Sequence, residues 1–183
     1  MATDWIELVT SLNQWRRGGE RAPHKPPLLL YALGQLQRSG SSRMAFSDVE
    51  ADLRQLLEEF GPPRPTSPGY PFHHLVSDGI WVVRTKSGAD SPGSNLKPLR
   101  AGAVGEIAAD FARAVDQDPM LFAGVVRAVL DVNFPASLHE DTLETAGTSL
   151  PPVELVRLRR PLRCPERDDA EAITGELEQA PPG

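Results

Sequence analysis

Cysteine is all but missing from this chain. Cys164 is its sole representative, which excludes an internal disulfide and any cysteine-rich zinc site built from this sequence. Long apolar runs are missing too. None approaches the ~20 residues of a membrane-spanning helix, and the start MATDWIELV lacks the basic opening and apolar stretch of a signal peptide. No internal repeat is visible. These absences predict a cytoplasmic protein without a membrane partner. A surplus of positive charge is also lacking, since the formal net charge is −6. Such a value ordinarily argues against nucleic acid, but where the charge sits matters more than its total.

The acidity is local. Residues 1–110 hold twelve Lys/Arg and twelve Asp/Glu, whereas 111–183 hold seven and thirteen, and 166–178 alone carries one base against six acids. At 183 residues the chain suits one ordinary domain and a tail. We place the domain at 1–150. The stretch 151–183 is rich in proline, arginine and then acids, with little apolar periodicity, and is expected to be a polar, acidic, disordered tail.

Within the balanced part, Arg21-Ala22-Pro23-His24-Lys25-Pro26-Pro27 leads straight into LLLYALGQLQR. Prolines are tolerated in a first helical turn and stiffen the approach. The apolar positions 28, 29, 30, 32, 33 and 36 cover most of a helix surface and predict a buried helix over 27–38. Its entrance would carry Arg21, His24 and Lys25 outward, where unpaired N–H groups and the macrodipole favour an anion. Arg16 and Arg17 extend this surface, and only Glu20 opposes the four Lys/Arg between 16 and 25. The plain alternative is a solvated basic loop capping a core helix.

Other elements follow from pattern. Apolar residues from Trp5 to Trp15 recur at helical spacing with Asp4 as cap. Met44–Phe46 reads as a short strand, and Ser47-Asp48-Val49-Glu50 as a capping box opening a helix to Phe60. Tyr70–Val76 and Ile80–Arg84 flank Ser77-Asp78-Gly79 as a candidate hairpin. Residues 87–98 read as a mobile loop, 103–116 and 118–132 as helices, the second capped by Asp118, and a last helix starts near Ser137. The predicted class is therefore mainly α with a small β-hairpin (α+β), a winged-helix-like helical domain. That fold serves DNA and protein contacts alike.

A second concentrated segment runs from Gly61 to Leu75, a proline-stiffened loop leading into Tyr70-Pro71-Phe72-His73-His74. Tyr70 and Pro71 offer a rigid apolar surface, with His73, His74 and Arg64 as donors beside it. Phe72 reads as a core residue. Adjacent histidines on a strand would point to opposite faces, and no third ligand has a recognisable spacing, so no metal and no cofactor are expected.

Together, RAPHKPPLLLYALGQL and GYPFHHLVSDGIWVV resemble the sulfur-binding domain of phosphorothioate-dependent, HNH-type restriction endonucleases, and NFPASLHEDTLETAG is similar to the stretch that follows it. The resemblance spans about residues 5–148. It implies a module that binds double-stranded DNA in which sulfur replaces one non-bridging phosphate oxygen, the reader of a modification-dependent restriction system. Carried onto this chain, it places Tyr70, Pro71 and His74 at the sulfur cavity and His24 and Lys25 at the phosphorothioate, with Arg21 beside them. Sulfur is larger, more polarizable and a poorer hydrogen-bond acceptor than oxygen, so an apolar wall favours it, while the negative charge still calls for cations. His74 departs from the family, which often has a small residue there. Arg64, Thr66, Ser67 and His73 could reach base edges, and Arg84 and Lys86 could meet ordinary phosphates.

An HNH module has no counterpart in the sequence, because His139 alone cannot stand in for a ββα-metal pattern. A DNA-binding domain rather than an enzyme is therefore expected, nucleoid-associated and serving a nuclease module or partner. Two other readings stay open at this level. One is a winged-helix DNA-binding or adaptor protein without sulfur selectivity, and the other is a metal-dependent nuclease using His24, His73 and His74.

Overall fold

A computed structural model describes residues 3–12, 16–17, 20–21 and 24–150. The described core is built around one helix, α2 (Lys25–Ser39), which starts with Pro26 and Pro27 in its first turn. Its Leu28, Leu29, Leu30 and Leu33 are fully enclosed, as a run apolar on nearly every side requires. Helix α1 (Trp5–Thr10) is capped by Asp4, whose Oδ1 accepts the Glu7 N–H at 3.0 Å. It is shorter than its periodicity predicts, and Trp15 lies outside the described residues. Two short strands, β1 (Arg16–Arg17) and β2 (Glu20–Arg21), pair antiparallel ahead of α2.

Strand β3 (Met44–Ala45) leads into α3 (Phe46–Phe60). The expected capping box does not form. Phe46 is pulled into the core, its N–H bonded to the Ala103 carbonyl at 2.9 Å, so the helix begins before Ser47. The Ser47 hydroxyl instead reaches the Asp48 carboxylate at 3.1 Å.

The expected Tyr70–Arg84 hairpin is also replaced. Gly69–His74 is a helix, α4, continued by a 3-10 turn at Leu75–Asp78. Gly79, with φ 77°, caps that turn instead of reversing a hairpin, a left-handed conformation that glycine adopts without penalty. Strand β4 (Trp81–Arg84) pairs with β5 (Val104–Ile107), which also pairs with β3, giving the antiparallel order β3-β5-β4.

Strand β5 corrects the expected helix over 103–116. Ala103, Gly105 and Ile107 are buried in alternation, the period of a strand, and helix α6 (Ala109–Gln117) starts only after it. The loop expected at 87–98 contains the start of α5 (Leu96–Arg100), anchored by buried Leu99. The last helices fall where the pattern puts them. In α7 (Pro119–Asn133) Asp118 Oδ1 accepts the Met120 and Leu121 N–H groups, and α8 (His139–Ala146) follows a 3-10 turn at Ala136–Leu138.

The segment after α8 is laced onto α2. Thr148 donates to the Leu30 carbonyl, Arg38 donates to the Gly147 carbonyl, and the Gln37 amide bonds Ser149 in both directions. The class is mainly α with a small antiparallel sheet, α+β. Among the described residues no helix is long and apolar enough to cross a membrane.

Candidate nucleic-acid interface

Helix α4 is held by its inner face. Phe72 is wholly buried, its ring edge-on to Phe46 at 5.0 Å and to Trp81 at 5.5 Å. The Trp81 indole N–H donates to the Phe72 carbonyl at 3.0 Å. At the start of α4, a Cβ on Gly69 would stand 2.3 Å from the Ser94 carbonyl oxygen, so glycine sets how closely the helix approaches the 94–99 segment. Pro71 is buried in the first turn, where its missing N–H costs nothing.

This anchoring decides where the outer face points. Positions 70, 73 and 74 share one side of a helix, so Tyr70, His73 and His74 stand together rather than on opposite faces of a strand. The Tyr70 and His74 ring centroids lie 4.1 Å apart, and those of His73 and His74 4.8 Å. From the entrance of α2, His24 meets Tyr70 edge-on at 4.9 Å. The two segments singled out by sequence thus converge on one cluster, with Tyr70 38 % exposed at its surface. His73 Nδ1 is 2.7 Å from the Ser91 hydroxyl, which ties the cluster to the loop after β4.

The entrance of α2 differs from expectation in one respect. His24 and Lys25 do not project into solvent. They are 4 % and 3 % exposed, and Lys25 Nζ lies 2.6 Å from Asp78 Oδ2, a carboxylate only 6 % exposed. A buried ammonium needs such a partner. Arg16, Arg17 and Arg21 sit on the β1–β2 pair, and their side chains lie outside the described residues. Arg64 is exposed and Thr66 half-buried on the loop before α4. The Thr66 hydroxyl donates to the Arg64 carbonyl, and Ser67 Oγ accepts the Gly69 N–H. Arg84 is paired with Asp90, and Lys86 is exposed. Asp78 and Ser91 escaped the sequence reading, the first because SDG looks like a hairpin turn and the second because it sits among Ser, Gly and Pro.

Burial holds the His74 imidazole below its ordinary value, with the nearby His73 and Lys25 charges adding to the effect. The unfolded chain therefore binds this proton first. Stability from His74 is present above the ordinary value of 6.5 and is lost as pH falls from there towards the lower folded value. Between pH 7 and 5, melting curves should show the wild type losing more of its Tm than His74→Gln does. Equal losses would mean that His74 titrates as if in water.

Among the described residues no group of three or more His, Cys, Asp or Glu side chains could hold a metal ion. The sequence model of the ScoMcrA-like DNA sulfur-binding domain matches residues 2–150. The chain belongs to this family. The sulfur binding domain of ScoMcrA complexed with phosphorothioated DNA superposes with a TM-score of 0.64 at 24 % identity, covering 80 % of this chain and all of that one. The corresponding SprMcrA domain, also complexed with phosphorothioated DNA, gives 0.61 at 25 %, with 79 % and 95 % covered. The type IV phosphorothioation-dependent restriction endonuclease ScoMcrA gives 0.62 at 24 %, the match covering 88 % of this chain and 32 % of that one. No curated protein matches the sequence.

Proposed function

We propose that this sulfur-binding domain reads double-stranded DNA carrying a backbone phosphorothioate, as the recognition part of a modification-dependent restriction system. The observation that carries the reading is the convergence of the α2 entrance and α4 on the His24–Tyr70–His74 cluster, within a chain whose family is defined by sulfur binding to DNA. Tyr70 and Pro71 form the apolar wall that accepts sulfur, with His24 and His74 as donors to the same group. Arg21, Arg16 and Arg17 on the β1–β2 pair supply phosphate contacts, as do Arg84 and Lys86 beside β4. Arg64, Thr66, Ser67 and His73 face the bases.

The sheet order β3-β5-β4, with α2, α3 and α4 ahead of β4 and α5 between β4 and β5, supports a winged-helix reading in which α4 is the recognition helix. Residues 1–150 are the reading domain and 151–183 an acidic tail. The domain itself binds without cleaving, acts in the cytoplasm at the nucleoid, and delivers its output through a nuclease module or partner.

A gel-shift series at fixed salt tests this. Duplexes differing only in one sulfur should differ at least tenfold in affinity, about 1.4 kcal/mol. Equal binding to the two would refute sulfur reading and favour a DNA-binding or adaptor protein without sulfur selectivity.

A further inference from the structure

The buried ion pair below the cluster has a bearing on selectivity. Lys25 opens α2, and Asp78 closes the turn that follows α4, so the pair joins the two elements that make the site. It is close enough that Lys25 disfavours a proton on His74. Asp78 is also fixed in place. Gly79 caps its turn, and Ile80 and Trp81, which come next, are buried, so the carboxylate cannot swing away when an anion arrives.

A buried ammonium without a counter-charge would attract any phosphate. It would favour oxygen over sulfur, because oxygen is the smaller and better hydrogen-bond acceptor. Once Asp78 has compensated Lys25, that general attraction is weakened. What then separates the two ligands is the cost of stripping water from them, which is lower for the softly hydrated sulfur against Tyr70 and Pro71.

We propose that Asp78 is a specificity-determining residue, holding Lys25 compensated so that ordinary phosphate gains little at the sulfur site. The proposal rests on the reading of the site given above. It predicts that Asp78→Asn, which frees the ammonium, tightens binding to unmodified duplex about tenfold or more and to the phosphorothioate duplex about threefold or less. The selectivity ratio then falls, and the slope of log K against log salt steepens by about 0.9, the value for one more neutralised phosphate.

Fluorescence anisotropy with the full chain and both duplexes, over a series of salt concentrations, measures all of these. Asp78→Glu, which keeps the charge, should restore the ratio towards that of the wild type. An unchanged ratio and slope in a folded Asp78→Asn variant would overturn the proposal.

Should Asp78→Asn fail to fold around an uncompensated lysine, Lys25→Met/Asp78→Asn removes both charges. Its salt slope should equal that of the wild type, because a compensated pair contributes no net counterion release. A slope shallower by about 0.9 would identify Lys25 as an ordinary phosphate contact and overturn the proposal. If the wild type itself shows no sulfur preference, the reading of the site fails, while the salt slopes still decide whether Asp78 compensates Lys25.

Discussion

Tyr70→Ala is expected to bring the affinities for phosphorothioate and unmodified duplexes to within about threefold of each other, mostly by weakening the former. The Tyr70 ring is the exposed apolar surface of the site and the contact shared by His24, at 4.9 Å, and His74, at 4.1 Å. Removing it deletes the wall a sulfur would rest on. It also releases two imidazoles from ring contacts worth about 0.5–1.5 kcal/mol each. A total of roughly 1–3 kcal/mol corresponds to about fivefold to 150-fold in affinity.

Because the ring is 38 % exposed, the fold should survive, and circular dichroism before titration checks this. Tyr70→Phe keeps the ring and should keep the preference, which separates the aromatic surface from the hydroxyl. An undiminished preference in Tyr70→Ala would place the sulfur elsewhere.

The second large effect lies beneath the site. Gly105 is the point where β5 passes under two buried rings. A Cβ there would stand 2.2 Å from Trp81 Cζ2 and 2.7 Å from Phe72 Cζ. Neither ring has free space, since both are buried and Trp81 is bonded to the backbone of α4. Gly105→Val should therefore cost about 3 kcal/mol or more, at the upper end of overpacking penalties, or a fall in Tm of about 6–12 °C at this size.

The loss would not stay in the core, because Phe72 is the anchor of α4. DNA binding should weaken for modified and unmodified duplexes together. Calorimetry alongside gel shift distinguishes this from a site mutation, which changes the ratio and leaves Tm in place. A Tm within about 2 °C of wild type would mean that the sheet yields more easily than its packing implies.

The limits of the sequence reading have physical causes. Helix α2 was legible because apolar residues on nearly every side can only be buried, and Asp118 and Pro119 mark the start of α7 whatever surrounds them. The α4 segment misled. Its Tyr and Phe favour a strand by local preference, and what makes GYPFHH a helix is Phe72 seated between Phe46 and Trp81, contacts from distant parts of the chain. Strand β5 was hidden inside alanine-rich flanks that suit a helix, and Gly105 becomes intelligible only with Trp81 above it.

Both segments stand out in the sequence as unusual, and the structure brings them together at Tyr70. In the sequence Lys25 is one of four cations opposed only by Glu20, and so it reads as an outward charge. Asp78, its partner, lies 53 residues away.

The lacing of residues 147–149 onto α2 fixes where the chain leaves the domain. Ser149 is bonded to Gln37, twelve residues beyond Lys25, or about 18 Å along the helix axis. The tie at 147–149 therefore lies well away along α2 from the entrance that carries His24 and Lys25. On the proposed reading, α2 is a spacer that holds the reading end and the 147–149 anchor most of a helix length apart.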